Sequence, residues 1–206
     1  MTGPATRPGK LGAMRVVLVG PPGSGKGTQG RGLAPRLGVP YLSTGEVLRA
    51  QMAEGTPLGR RVAAVVERGD LVDDDLMLEL VEASVGDGAD GGGYVLDGFP
   101  RTIPQARALD RSEPPLGPPD VVVHLAVPDH VVADRLARRA AEERRTDDAQ
   151  PQVTQQRLRA YRDQTEPLLA HYRRQGTLVT VDGDQPPDEV GVAIASAIEA
   201  RAERTG

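Results

Sequence analysis

The stretch that most constrains this chain is Gly20-Pro21-Pro22-Gly23-Ser24-Gly25-Lys26-Gly27-Thr28, which follows directly on the aliphatic run Val16–Val19. A short run this rich in β-branched residues reads as a strand buried on both faces. Glycines at this density cannot continue a strand. They let the backbone turn its N–H groups inward around an anion, and a helix opening behind them adds the partial positive charge of its N-terminus. Lys26 stands where an ammonium group can follow a polyphosphate as one phosphoryl group leaves. Strand, glycine loop, Lys and helix in that order require an α/β sheet with a phosphate-binding turn at its carboxyl edge; a dinucleotide-binding turn would have no use for the Lys. The general pattern puts Ser or Thr directly after the Lys, whereas here Gly27 intervenes and Thr28 carries the hydroxyl. Thr28, together with Asp97 at the end of a later strand, is therefore the candidate contact for Mg²⁺, held mostly through water.

The rest of the chain alternates in the manner such a sheet needs. Arg15–Gly20, Tyr94–Asp97, Val121–Val127 and Leu178–Val181 read as strands. Amphipathic segments over 25–37, 44–54, 58–68, 74–84, 104–110, 129–141, 154–174 and 188–200 predict the helices between them. A length of 206 residues suits one core. Residues 1–13, mixing Gly, Pro and basic side chains without periodicity, predict a flexible extension, with Met14 as an alternative start. Aromatic residues make up only 2% of the chain, so Val, Leu, Ile and Ala must build the core and stacking platforms are scarce. That scarcity, with a net charge of −4, argues against nucleic-acid binding except through a local basic patch. The apolar runs are too short to span a membrane. The absence of cysteine excludes disulfides and thiolate-bound zinc and fits a reducing, cytoplasmic setting.

From Met14 onward the chain resembles the adenylate kinases. The resemblance rests on GPPGSGKGTQ (Gly20–Gln29), LSTGEVLR (Leu42–Arg49), GDLV (Gly69–Val72), LDGFPRTIPQA (Leu96–Ala106), DRLARR (Asp134–Arg139), RTDD (Arg145–Asp148), YRDQTEPL (Tyr161–Leu168) and VDG (Val181–Gly183), in the family's order and spacing. It implies a three-layer P-loop NTPase fold with a central parallel five-stranded sheet flanked by helices. An AMP-binding flap over about 43–73 and a short lid over about 136–148 would rise from it. It also implies a monomer and the Mg²⁺-dependent reaction of ATP with AMP to give two ADP.

By the same resemblance, Gly23, Ser24, Gly25, Lys26, Gly27, Thr28, Arg135, Arg139 and Gln185 hold ATP. Thr44, Arg49, Asp70, Leu71, Val72, Gly98, Phe99, Pro100, Arg101 and Gln105 hold AMP, with Arg145 and Arg157 also reaching it. Lys26, Asp97, Arg101, Arg139, Arg145 and Arg157 serve the transfer itself. The chemistry agrees with that inventory: a loose phosphoryl transition state is stabilised by pre-placed cations and exclusion of water rather than by a covalent nucleophile. A guanidinium clamps phosphate oxygens in pairs. The Gln105 amide donates and accepts at once, as the edge of adenine does. Thr44 also suits a helix N-cap.

Arg135, Arg138 and Arg139 share one helix face, and Arg144 and Arg145 follow. On spacing alone Arg138 competes with Arg139, and Arg144 with Arg145, for the phosphate contacts. Only Ala140–Arg144 separates Arg139 from Arg145, too little for the long lid of some relatives. A kinase for UMP or CMP is the neighbouring alternative; a nucleotide-binding module whose Arg patch contacts RNA is the more distant one.

Overall fold

Alternation along strand β1 (Arg15–Val19) sends Val17 and Val19 to one face of a sheet and Val16 and Leu18 to the other, and each is at most 2% exposed. Burial on both faces explains why the strand reads as a continuous apolar run rather than an alternating one. The structure, a computed structural model, describes residues 14–86, 92–143 and 151–205. Strands β2 (Tyr41–Ser43), β3 (Tyr94–Asp97), β4 (Val121–Ala126) and β5 (Leu178–Asp182) join β1 in a parallel sheet ordered β2-β3-β1-β4-β5. This is the expected five-stranded P-loop architecture. Tyr41–Ser43 escaped the pattern analysis because three residues are too few to show a period.

Helix α1 (Lys26–Leu37) and helix α9 (Pro187–Thr205) cover one face, through Leu33, Leu37, Val190, Ile194 and Ile198. The opposite face carries α2 (Thr44–Ala53), α3 (Pro57–Arg68), α4 (Asp74–Gly86) and α5 (Ile103–Arg111). Further along, α6 (Asp129–Glu143) leads from β4, and α7 (Pro151–Ala160) and α8 (Pro167–Arg174) return to β5. Because β3 and β4 are consecutive in the chain yet flank β1 on opposite sides, a crevice opens over the carboxyl end of β1.

The helix expected over 154–174 is in fact two helices joined by a π-helical turn at Tyr161–Thr165, in which the Glu166 N–H donates to the Tyr161 carbonyl at 2.8 Å. Pro167 has no N–H to give to the preceding turn, so the α ladder cannot run through it. Helix α1 begins at Lys26 instead of Gly25, because Gly25 takes φ 93°, a left-handed conformation outside the helix. Thr44 is the first residue of α2 rather than its cap; Ser43 takes the cap position. The remaining helices start or end within a few residues of the expected bounds, α9 extending furthest, to Thr205. Residues 1–13, expected as a flexible extension, lie outside the described residues.

Helices α2 and α3 form a tight hairpin. Thr56 caps α3 by accepting from the Gly59 N–H at 3.0 Å, and a Cβ built on Gly59 would collide with the Gln51 carbonyl of α2. Main-chain atoms there cannot step aside. Gly59→Ala is expected to destabilise the protein by about 1–3 kcal/mol, the usual cost of overpacking, lowering the urea midpoint with little change in slope. An unchanged midpoint would show that the hairpin is looser than its packing indicates.

Candidate active site

The crevice is a cleft of about 970 Å³. Its floor is the loop from Gly20 to Lys26. Gly23 and Gly25 have φ of 81° and 93°, and a Cβ on Gly25 would meet nothing within 4 Å, so glycine is needed there for conformation and not for space. Ser24 is 2% exposed and its N–H donates to the Pro21 carbonyl at 3.1 Å, closing the turn. The Lys26 ammonium donates to the carbonyls of Gly20 at 2.8 Å and Pro21 at 3.0 Å, so the loop holds its own cation at the mouth. Gly27 and Thr28 continue the lining into the first turn of α1.

Opposite this loop the cleft gathers arginines from three elements: Arg49 on α2, Arg101 after β3 and Arg157 on α7. Burial pulls the Arg101 pKa below its ordinary value; the nearby charges of Arg157 and Arg49 pull the same way, while Asp97 opposes them. Like charges brought close repel one another, and an anion entering between them relieves that repulsion. The Arg101 Nε donates to the Gly98 carbonyl at 2.7 Å, which aims the guanidinium. Gly98 must be glycine: φ is 88° and a Cβ would press on Thr44 Oγ1 and the Arg101 guanidinium. Thr44, 1% exposed, donates from Oγ1 to the Asp97 carbonyl at 3.4 Å.

Asp70, Leu71, Val72, Pro100 and Gln105 complete this wall. Asp70 accepts from Arg68 at 3.0 Å and Gln156 at 2.9 Å, tying the end of α3 to α7. These two hydrogen bonds, Arg68's first, hold its carboxyl below the usual range. Gln105 is buried, not exposed on its helix: Oε1 accepts from the Arg101 N–H at 2.7 Å and Nε2 donates to Asp74 Oδ1 at 2.7 Å. Phe99 is 1% exposed in the core beneath the cleft, so it supports the wall instead of lining it.

On the other side Arg135 donates to the Gly183 carbonyl at 2.9 Å and pairs with Asp184 at 3.6 Å; Arg138 and Gln185 also line the cleft. Gln185 donates to Asp182 at 2.9 Å. Arg139 belongs to α6, but its side chain lies outside the described residues, as do Arg144, Arg145 and the rest of the expected lid from 144 to 148.

Among the described residues no three His, Cys, Asp or Glu side chains converge as a metal cage. A divalent cation that keeps most of its waters and sits on nucleotide phosphates needs only one or two hard oxygen groups. Asp97 and Thr28 both line the cleft and fit that demand. Tyr41, which the sequence analysis passed over, donates to Asp97 Oδ2 at 3.0 Å. Burial first, then Asp97, raises the phenol pKa and keeps it a donor. Arg31 lies 5.1 Å from the Tyr41 ring centroid and pairs with Glu46 on α2, another link the sequence analysis missed. No local signal marked Tyr41, because the strand that it opens is three residues long and exists through its pairing with β3.

A protein-family model described as adenylate kinase matches residues 18–177. The adenylate kinase of Stenotrophomonas maltophilia (strain R551-3) is 44% identical over 187 residues, covering 90% of this chain and 100% of the relative. The chain belongs to the adenylate kinase family. The adenylate kinase of Xanthomonas euvesicatoria pv. vesicatoria (strain 85-10) is 45% identical over 186 residues, 90% of this chain and 99% of its own. That of Methylobacterium radiotolerans is 44% identical over 198 residues, 93% and 98% respectively. The chain is accordingly a nucleoside monophosphate kinase, a phosphotransferase. No helix among the described residues is long and apolar enough to cross a membrane.

One titratable group beside this kinase site makes stability depend on pH. His124 on β4 pairs in register with Val19, directly before the phosphate loop, and its Nε2 lies 3.4 Å from the Tyr161 hydroxyl in the π-helical turn. Burial lowers the imidazole pKa, helped by the charges of Arg173 and Lys26, while burial and Glu166 push the Tyr161 phenol up to about 12. A base whose folded pKa lies below the unfolded value, about 6.5, contributes stability that is full above that value. The contribution is lost as pH falls through the folded pKa, because the unfolded chain then binds the extra proton. The melting temperature is expected to drop as pH falls below about 6.5, and to drop less in His124→Gln. Equal drops in the two proteins would remove His124 as the cause.

Proposed function

We propose that the chain catalyses reversible transfer of the γ-phosphoryl of ATP to AMP, forming two ADP. The observation that carries this reading is the convergence of Arg49, Arg101 and Arg157 opposite the Lys26 loop within one cleft. One phosphate group held by the loop and another held by the arginines bring donor and acceptor face to face. An oxygen of the AMP phosphate attacks the γ-phosphorus, the bond to the β-phosphate oxygen breaks, and ADP leaves on the loop side. Lys26 follows the charge that grows on that leaving oxygen. Arg101 and Arg157 neutralise the transferring group and orient the acceptor, while Arg49 holds the AMP phosphate. We assign Arg135, Arg139 and Gln185 to the ATP side and Arg145 to the transferring phosphates. Mg²⁺, oriented through water by Asp97 and Thr28, supplies charge neutralisation on the polyphosphate when bound.

Thr44 and Gln105 on the acceptor wall support AMP over UMP or CMP. The segment over about 43–73 is read as the AMP flap and that over about 136–148 as a short lid, which together exclude water on closing. One chain supplies both walls of the cleft, which supports a monomer, and the cysteine-free composition suits the cytoplasm.

With Mg²⁺ and ADP as the only substrate, the protein is expected to form ATP and AMP in equal amounts. Conversion confined to mixtures containing another monophosphate would reassign the acceptor, and RNA binding without turnover would replace the enzyme reading altogether. Lys26→Ala and Arg101→Ala are each expected to lower turnover about 10²-fold or more, since each removes a charge preorganised for the transition state. Near-normal rates in either would withdraw its role.

A further inference from the structure

The proposed function leaves open how the acceptor wall tells adenine from guanine, and a buried polar chain behind Gln105 supplies an answer. Gln105 Nε2 donates to Asp74 Oδ1 at 2.7 Å, Thr102 Oγ1 donates to the same oxygen at 3.0 Å, and Gln105 Oε1 accepts from the Arg101 N–H at 2.7 Å. The loop closes on itself, because the Gln105 N–H donates to Thr102 Oγ1 at 3.2 Å. A carboxylate only accepts and a backbone N–H only donates. An amide placed between the two has a single satisfactory orientation.

Turning the amide over would set Oε1 against the Asp74 carboxylate and Nε2 against another N–H. Gln105 is 3% exposed, so little water is at hand to relieve either clash. The two bonds use one amide hydrogen and one carbonyl lone pair. The remaining hydrogen and lone pair belong to a side chain that lines the cleft, and their order is set by Asp74 together with the Arg101 N–H.

That order matters to a purine. Adenine presents an acceptor at N1 beside the donor amino group at position 6, matching an amide that offers N–H and C=O in one fixed sequence. Guanine presents N1–H and a carbonyl, the opposite polarity at the same two places. Only a flipped amide could read it.

We propose that Asp74 is a positioning residue that selects adenine over guanine at the acceptor site by locking the Gln105 amide; this rests on the reading of that wall as the AMP site. Asp74 does not line the cleft and acts through Gln105. Helix capping is not its task. Asp73 Oδ1 accepts from the N–H groups of Asp75 and Leu76 and closes the start of α4 by itself.

The test is Asp74→Asn, which keeps the shape but can face Gln105 with either a carbonyl or an amino group. Wild type and variant are compared with AMP and GMP as acceptors, alongside their urea midpoints. The kcat/KM ratio of GMP to AMP is expected to rise roughly tenfold or more in the variant, the scale on which buried polar matching discriminates. A merely structural defect lowers both acceptors together and leaves the ratio where it was. An unchanged ratio in a stably folded variant overturns the proposal, as does a wild type that uses GMP as well as AMP. Should the variant not fold, a crystal structure of the wild type with AMP decides. Gln105 still bonded to Asp74 and the Arg101 N–H supports the lock, and Gln105 swung away from Asp74 overturns it. A wild type that binds nucleotide yet never phosphorylates AMP would instead remove the adenylate kinase reading.

Discussion

Positive charge gathered around one cleft is the constraint on which the rest of this molecule depends. Arg49, Arg101 and Arg157 face the Lys26 loop across one cleft, with Asp97 as the opposing carboxylate that acts on Arg101. Side chains so charged repel one another and resist desolvation, so they remain together only if their supports are rigid. For Lys26 and Arg101 the supports are the ends of buried strands. Lys26 follows β1, Arg101 follows β3, and the two strands pair directly along Arg15–Leu18 and Tyr94–Asp97. An anion entering the cleft turns that repulsion into binding, which is how a phosphate-transfer site is preorganised.

Short polar links then carry the order of the sheet out to the helices around the cleft. Tyr41 connects β2 to Asp97, and Arg31 and Glu46 connect α1 to α2 beside it. Asp70 joins the end of α3 to Gln156 on α7. The end of α3 and the helix that carries Arg157 therefore share a contact. The π-helical turn at Tyr161–Thr165 lies in the same region, and Tyr161 and Thr165 both line the cleft. Irregular helical geometry of this kind is common where a helix must aim side chains at a site.

Much of this was readable in advance because the motifs are local. A glycine loop between an apolar run and an amphipathic segment has few conformations that avoid steric clash, and its phosphate chemistry follows from backbone N–H groups that need no distant partner. The same holds for β1, β3 and β4, whose burial on both faces shows as apolar runs, whereas β5, read from its run of Leu178–Val181, is the edge strand with Thr180 exposed and only Val181 buried. What escaped was too short, dependent on contacts far away in the chain, or, at Pro167, a local break inside an otherwise helical pattern. Strand β2 is three residues long, and its status comes from pairing with β3. The break after α7 comes from Pro167, whose missing N–H is felt only when the helix tries to continue past it. Phe99 stands within a family motif yet points into the core, a distinction its neighbours in sequence cannot express.

The amino-acid sequence by itself determined the class of sheet, the phosphate loop and the set of cations, since each follows from residue type and spacing within a few positions. Tertiary structure alone decided which of those groups meet. Arg49, Arg101 and Arg157 lie on separate elements, and Asp74 reaches Gln105 across 31 positions of sequence, so their hydrogen bonds and repulsions exist only once the sheet has ordered its helices. Chemistry of single residues is local, whereas electrostatic coupling between them depends on distances that the packed core alone sets.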